Sequence, residues 1–136
     1  MEITVYQAQG RVTVTVLQPH GDLDASSFRD LIAKAKEAHD AGARDIILDL
    51  SDAPYMSSSG LVALHSIAMI LRGEEPPDPE SGWGAFRSIG RDRDRGLQQH
   101  FKLFNPQPNV GKVLEMAGFR QYLEVYSDLE TAVASF

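Results

Sequence analysis

Apolar and polar residues alternate near the start of the chain. Between residues 12 and 17 valine occupies every second position, which is the period of a strand with two different faces. Residues 2–7 are expected to form a second strand, and residues 8–10 between them are few enough for a tight turn. The pattern therefore predicts an opening antiparallel hairpin.

The spacing of apolar residues then changes to that of a helix. Over residues 28–38 they follow helical spacing, with Asp24 or Ser26 available as the N-cap and Gly42 placed to end the helix. The continuous apolar run at 46–48 follows directly, and such a run is typical of a strand buried on both faces of a parallel sheet. Together these segments predict a strand-helix-strand crossover.

The next predicted helix is too apolar to have one solvated face. Every residue from 61 to 71 is apolar except His65 and Ser66, so a second surface must cover this helix. Two interpretations remain open at this point. The helix is buried in the core, or part of it docks a partner protein.

The second half of the chain repeats the alternation of strands and helices. Residues 102–104 are expected to form a strand, residues 108–118 contain a helix between a proline and a glycine, and residues 122–126 form a last strand. Ser127 and Glu130 have the spacing of a capping box, which predicts a C-terminal helix. The sequence indicates an α/β fold with a mixed sheet of four to five strands.

A long segment at about 73–99 interrupts this pattern. It carries prolines at 76, 77 and 79, and arginine alternates with aspartate over residues 91–95. Loops of this length are uncommon inside compact domains, so we interpret it as an insertion in a single domain that spans residues 1–136. Three apolar residues recur within it at every third position, which allows one or two docked helical turns: Trp83, Phe86 and Ile89.

Composition narrows the functional classes. The chain has no cysteine and a formal charge of −6, which excludes disulfides and thiolate metal sites and opposes general binding of nucleic acid. Its start lacks the basic and apolar regions of a signal peptide, and no apolar run approaches the roughly 20 residues of a membrane helix. We expect a cytoplasmic protein with protein partners.

A run of serines lies between the buried strand and the apolar helix. Residues 57–59 are all serine and Gly60 follows them. In α/β sheets the carboxyl end of a strand and the N-terminus of the next helix form a place where ligands and anions bind. Backbone N–H groups there would stabilise a phosphate on one of these hydroxyls, although serine is also a common N-cap residue.

Several segments together resemble the STAS domain of anti-sigma factor antagonists. In the first half these are Gly21-Asp22-Leu23-Asp24, Ile47-Leu48-Asp49-Leu50-Ser51 and Met56-Ser57-Ser58-Ser59-Gly60-Leu61. In the second half, residues 103–106, 110–118 and 125–132 are similar to the closing strands and helices of that family. The resemblance spans the chain apart from residues 73–99.

The resemblance implies a STAS-like fold, with helices packed mainly on one side of the sheet, and a function as a bacterial switch. Such a protein binds an anti-sigma factor, a serine kinase, and so releases a sigma factor until one serine is phosphorylated. Carried over, that phosphoacceptor is Ser58. The residues expected to flank it or to bind the partner are Asp22, Leu23, Asp24, Ser57, Ser59, Gly60, Leu61, Val62 and His65.

Two features depart from the family pattern. Ser57 stands where the family usually has an aspartate before the acceptor, and the long insertion has no counterpart in it. The alternative function is therefore a non-switching STAS scaffold or a ligand-sensing module of a signalling or transport complex. We expect a monomer or a weak dimer.

Enzymatic interpretations have less support. The serine run lacks the G-x-S-x-G arrangement. His65 would lie about two turns inside the helix, where a lone histidine is more often a packed or partner-facing residue than a base. His20, Asp22 and Asp24 have the spacing of a weak metal site, but turn chemistry explains them more simply. We expect no enzymatic activity, no metal and no cofactor.

Overall fold

The predicted strands form one mixed sheet. The computed structural model of the protein describes residues 1–76, 87, 89–91 and 96–136. Within them the strands follow the order β1-β2-β3-β4-β5, with bounds Glu2–Gln9, Thr13–His20, Ile46–Asp49, Phe101–Phe104 and Val125–Tyr126. β1 pairs with β2 antiparallel and all other neighbours are parallel. The predicted mixed α/β sheet is confirmed.

The opening hairpin is longer than predicted. Its register runs without interruption from Glu2 opposite His20 to Gln9 opposite Thr13. Ala8 belongs to the first strand, so the turn lies at residues 10–12 and not at 8–10. The extra pairs add backbone hydrogen bonds between the two strands.

Four α-helices have both ends within the described residues, and they cover the two faces of the sheet unequally; residues 87 and 89–91 are helical as well. They are α1 (Phe28–Asp40), α2 (Ser58–Leu71), α3 (Pro108–Met116) and α4 (Leu129–Ala134). One core joins α1, α2 and α3 to the sheet through residues such as Leu31, Leu64 and Leu114. A smaller cluster on the other face joins Ala132 and Val133 of α4 to β2 and β3. Helices thus lie mainly on one side, as predicted.

The N-caps lie close to their predicted positions but not at them. α1 is capped by Ser27, with no side-chain cap bond, because the backbone carbonyl of Asp24 accepts the N–H groups of Ser27 and Phe28 at 3.1 and 3.0 Å. α4 is capped by Asp128 rather than Ser127, and its carboxylate accepts the N–H of Thr131 at 2.9 Å. Gly42 follows α1 with a φ of 114°, where glycine is favoured.

The predicted last strand is shorter than residues 122–126. A 3₁₀ turn at Phe119–Gln121 precedes it, and Tyr122 and Leu123 are buried beneath the helices without joining the sheet. Only Val125 and Tyr126 pair with β4. The apolar run at this point reflects core packing of a connecting segment.

Burial inside the chain accounts for the apolar character of α2. Ten of its fourteen residues are buried, against the sheet and α1. His65 and Ser66 are both 0% exposed, and Ser66 donates its hydroxyl to the carbonyl of Val62 at 2.8 Å. Among the described residues, no helix has the length and apolarity needed to cross a membrane.

The segment at about 73–99 contacts the rest of the fold at two described places. Ile89 is 7% exposed and belongs to the main core. Gln98 accepts a hydrogen bond from the Arg72 guanidinium at 3.0 Å, and its backbone N–H donates to Tyr122 at 3.0 Å. Trp83 and Phe86 lie outside the described residues. We therefore treat residues 96–99 as part of the body of the fold.

Replacing residues 77–95 with a short Gly/Ser linker is expected to leave a cooperatively unfolding protein. The cost should be about 2 kcal/mol, because burial of one isoleucine contributes roughly 1.5–3 kcal/mol and loop length changes closure entropy only slowly. Urea denaturation measures this cost, with Ile89→Ala as the matched variant. Loss of cooperative unfolding in the trimmed protein alone would show that this segment is part of the fold rather than an insertion.

Candidate functional site

The loops after β2 and β3 lie side by side at one edge of the sheet. Both strands are parallel, so their carboxyl ends meet at that edge. Backbone hydrogen bonds join the loops: Gly21 donates to Asp52 at 3.0 Å, Leu23 to Tyr55 at 2.9 Å, and Ser57 to the carbonyl of Leu23 at 2.9 Å. The structure therefore brings two of the three sequence segments quoted above into direct contact.

Gly60 allows the N-terminus of α2 to pack against these loops. A Cβ atom at this position would lie 2.5 Å from Met56 Cγ and 2.9 Å from the carbonyl oxygen of Leu23. Both distances are shorter than the van der Waals contact distance between non-bonded atoms. The glycine after the three serines is thus required by a close approach, not by its backbone angles.

The three serines have different roles. Ser57 is the N-cap of α2, and its hydroxyl oxygen accepts the N–H of Ser59 at 3.2 Å. Ser58 is the first residue of the helix and is exposed, whereas Ser59 is half-buried. Within the described part of the chain the Ser58 hydroxyl makes no hydrogen bond. Of the three, Ser58 presents the most accessible hydroxyl.

The loop that contacts the serine run is acidic. Asp22 is exposed and Asp24 half-buried, and the hydroxyl and backbone N–H of Ser26 hold the pKa of Asp24 below its usual value. Those two bonds measure 2.6 and 2.9 Å. Neither residues 21–28 nor residues 45–71 contain a lysine or arginine. The positive end of the α2 dipole is the favourable local contribution to an anion here.

Not every predicted site residue reaches this surface. Leu23 and His65 are 0% exposed and Val62 is 5% exposed. His65 lies in the core, with Nδ1 3.3 Å from the hydroxyl oxygen of Tyr122. The prediction that His65 lies at the partner-binding surface is therefore wrong. Leu61 remains half-buried one turn along from Ser58. Helical spacing could not separate these positions because nearly all residues of α2 are apolar.

Tyr55 is a surface residue that the sequence reasoning missed. Its side chain is 50% exposed although large and mostly apolar, and its backbone carbonyl is fixed by the N–H of Leu23. Tyrosine is enriched in protein interfaces because it contributes large contact area with few rotatable bonds. An aromatic residue two positions before the serine run was the available signal.

His20 takes part in a hydrogen-bonded chain rather than a metal site. Its Nδ1 lies 2.5 Å from Asp52 Oδ2 and its Nε2 lies 2.7 Å from the hydroxyl of Thr4. Both ring nitrogens are engaged, so His20 does not join Asp22 and Asp24 as a set of ligands. Among the residues that the structure describes, no group of three acidic or histidine side chains is arranged to hold a metal.

Comparison with known proteins identifies the fold. A family model described as the STAS domain matches residues 5–73, which is just over half of the 136 residues. A search of curated proteins gave no match. Structural matches to solved proteins, in contrast, extend over nearly the whole chain.

Three of these solved structures are described as anti-sigma factor antagonists. A putative antagonist from Thermotoga maritima has a TM-score of 0.66 and 18% identity over 96% of this chain and 90% of its own. One from Mycobacterium paratuberculosis has a TM-score of 0.63 and 16% identity over 98% and 93%.

The third is SpoIIAA in its unphosphorylated form. It has a TM-score of 0.52 and 18% identity, and the match covers 96% of this chain and 93% of SpoIIAA. At such identities the matches establish the fold, and the matched family model establishes the family. The chain belongs to the STAS domain family.

Proposed function

We propose that this protein is a cytoplasmic anti-sigma factor antagonist that binds an anti-sigma factor kinase and so releases a sigma factor. Phosphorylation of Ser58 ends the binding. The observation that carries the proposal is the exposed, unbonded hydroxyl of Ser58 at the first position of α2. It matches the acceptor position of the family that the sequence resembles.

The structural neighbours support this role. Three are described as anti-sigma factor antagonists, and the Bacillus protein SpoIIAA has also been solved in a phosphorylated form, with 19% identity over 97% of this chain and 96% of its own. The STAS fold therefore accommodates a phosphorylated state. In the present chain the serine run occupies a surface suited to display such a group.

The chemistry of the surface favours a switch. Phosphorylation would add about 1.5 to 2 negative charges at Ser58, next to Asp22 and Asp24. Within the free protein the N-terminus of α2 stabilises part of that charge. In a complex the same charge must be desolvated against a surface that accepted a neutral hydroxyl, which is costly. The modification therefore weakens binding more than it weakens folding.

Serine at position 57 is compatible with this mechanism. The residue acts as N-cap through its side-chain oxygen, and serine fulfils that role about as well as aspartate. The exchange removes one negative charge beside Ser58 while it keeps the helix start. We infer that the geometry of the acceptor is retained and that kinase recognition of the neighbouring residue differs from the family pattern.

We also propose that the protein acts by binding and not by catalysis. Among the described residues, no base lies within hydrogen-bonding distance of the Ser58 hydroxyl, and His65 is held in the core. An attacking serine needs such a base to be activated. The site as described displays a hydroxyl without the partners that would make it a nucleophile.

The test begins with recovery of partners from native cytosol. The recovered anti-sigma kinase is then incubated with the protein and ATP, and the modified residue is mapped by mass spectrometry. Ser58→Ala is expected to bind the kinase and resist modification. Ser58→Asp is expected to bind at least tenfold more weakly, about 1.4 kcal/mol or more, because it brings a charge into the interface.

Ser127→Ala is the control, since Ser127 is an exposed serine outside the serine run and the acidic loop of residues 21–24. It should be modified at Ser58 like the wild type. Modification confined to Ser57 would keep the switch and move its position by one residue. If no serine of the run is modified, the phosphoswitch is wrong. Recovery of a transporter or a large sensory complex in place of a kinase would favour a non-switching scaffold or ligand-sensing module.

A further inference from the structure

Exposed apolar side chains are concentrated in the opening hairpin. Seven large apolar side chains are exposed within the described residues, and four of them lie in the first twelve positions: Met1, Val5, Tyr6 and Val12. Val5 is 44% and Tyr6 36% exposed. Both belong to β1, the outermost strand of the sheet.

The outer edge of β1 carries unpaired backbone groups. In an antiparallel pair the N–H and C=O of one residue point to the same neighbouring strand. The N–H of Thr15 donates to Asp45 at 2.9 Å, toward β3, so its partner Gln7 points its own groups away from β2. By alternation, Ile3, Val5 and Gln7 present their N–H and C=O at the open edge.

β1 lacks the features that usually protect an edge strand. Such strands are commonly short, bulged, or marked by lysine or proline. β1 has eight residues in unbroken register and no charge after Glu2, whereas the opposite edge strand, β5, has only two residues. Among the described residues, no strand pairs with the outer side of β1.

The charges at the ends of β1 favour pairing with a copy of itself. Glu2 lies at one end, and Arg11 follows the other end in the turn. When two copies pair antiparallel, the end of β1 that carries Glu2 lies toward the end of the other copy that leads to Arg11, and the uncharged centres meet. Parallel pairing would instead bring like charges together.

We propose that β1 is a dimerisation edge, at which a second copy of this chain pairs antiparallel about a two-fold axis at Val5. Such an axis is perpendicular to the sheet, and pairing about it joins the two five-stranded sheets into one sheet of ten strands. The two Val5 residues exchange backbone hydrogen bonds, and Ile3 of each copy pairs with Gln7 of the other. This register uses all three of the exposed backbone positions named above.

The side chains are compatible with this register. Val5 lies opposite Leu17, on the face of the sheet that α1, α2 and α3 cover. An open groove of about 330 Å³ lies next to Val5, between the sheet and α1. On the opposite face of the sheet, Thr4 of each copy lies opposite Tyr6 of the other copy. This pairing covers part of the exposed tyrosine ring. Within β1 no two like charges lie opposite each other, because Glu2 of each copy lies opposite Ala8 of the other.

Sedimentation velocity of the full chain tests the proposal. We expect a concentration-dependent mass that approaches twice the 15.0 kDa of one chain at about 200 µM, a range suited to small interfaces. Val5→Lys places two ammonium groups at the axis and should raise the dissociation constant at least tenfold. Met116→Lys, at an exposed apolar residue of α3, is the matched control and should dimerise like the wild type.

Cross-linking tests the register, because the chain has no cysteine. Two Val5→Cys residues would have Cα atoms about 5.5 Å apart, which suits a disulfide. Two Gln7→Cys residues would be about 14 Å apart. Oxidation should therefore link Val5→Cys and not Gln7→Cys. The proposal would be overturned by a wild-type protein that stays monomeric, or by Gln7→Cys chains that cross-link as readily as Val5→Cys chains. A β1 that pairs with a strand of a different protein would likewise overturn it.

Discussion

Replacement of Gly60 by alanine is expected to lower the free energy of unfolding by about 2 kcal/mol. The added methyl group would lie 2.9 Å from the carbonyl oxygen of Leu23 and 2.5 Å from Met56 Cγ. The methionine side chain can move, but the carbonyl belongs to a backbone that is itself bonded to Ser57. Helix propensity opposes the loss by about 1 kcal/mol, which is too little to offset a clash with backbone.

Gly111→Ala provides the matched control. Gly111 also lies inside a helix, α3, but a Cβ there would meet nothing within 4 Å. The same substitution should therefore stabilise the protein by up to about 1 kcal/mol. Urea denaturation of both variants measures the difference. Equal stabilities for the two would show that the contact between α2 and the Leu23 loop yields easily.

The Gly60 contact also matters for the proposed switch. Leu23 connects the loop that carries Asp22 and Asp24 to the residues that precede Ser58. A displaced carbonyl at Leu23 would change how the acidic loop and the serine run present a common surface. Gly60→Ala should then reduce partner binding even where the protein remains folded.

Much of the fold could be predicted because local pattern and global burial agree. The apolar run at 46–48 became β3, buried on both faces, and helical spacing between residues 28 and 38 became α1. The N-cap of α4 was misplaced by one residue because Ser127 and Asp128 both have side chains that can cap a helix. The N-cap of α1 was misplaced because a backbone carbonyl can satisfy a helix start as well as a side chain does. Asp24 does so through its main chain, which residue type does not reveal.

The site could be predicted less completely than the fold. The serine run and the Gly21 to Asp24 loop were brought together as the sequence implied, because parallel strands end at one edge. Exposure along α2 could not be predicted. The burial of His65 depends on Tyr122, fifty-seven positions further along the chain, and on a segment that was expected to be a strand.

Lys102 is expected to be the most important buried charge for stability in the described part of the sheet. It lies on β4 and is 4% exposed. Its ammonium group donates to both the carbonyl and the hydroxyl of Ser135 at 2.9 Å and lies 4.5 Å from the ring centroid of Phe136. These contacts fasten the residues after α4 to the second face of the sheet.

Lys102→Ala should lower the free energy of unfolding by about 3 kcal/mol, since it leaves a cavity and removes the three buried methylene groups beyond Cβ together with the ammonium group. Lys102→Met retains most of the stem and loses only the charged donor, so its cost should be about 1 to 2 kcal/mol. Lys112→Ala, at an exposed lysine of α3, is the control and should change stability by less than about 0.5 kcal/mol.

Hydrogen exchange distinguishes a local from a global role for Lys102. If the ammonium group holds the C-terminal helix in place, amides of α4 should lose protection in Lys102→Met while those of β2 and β3 keep it. Equal loss in all strands would mean that the side chain supports the whole sheet. Variants as stable as Lys112→Ala, with α4 still protected, would show that the apolar contacts of Ala132 and Val133 suffice to hold the helix.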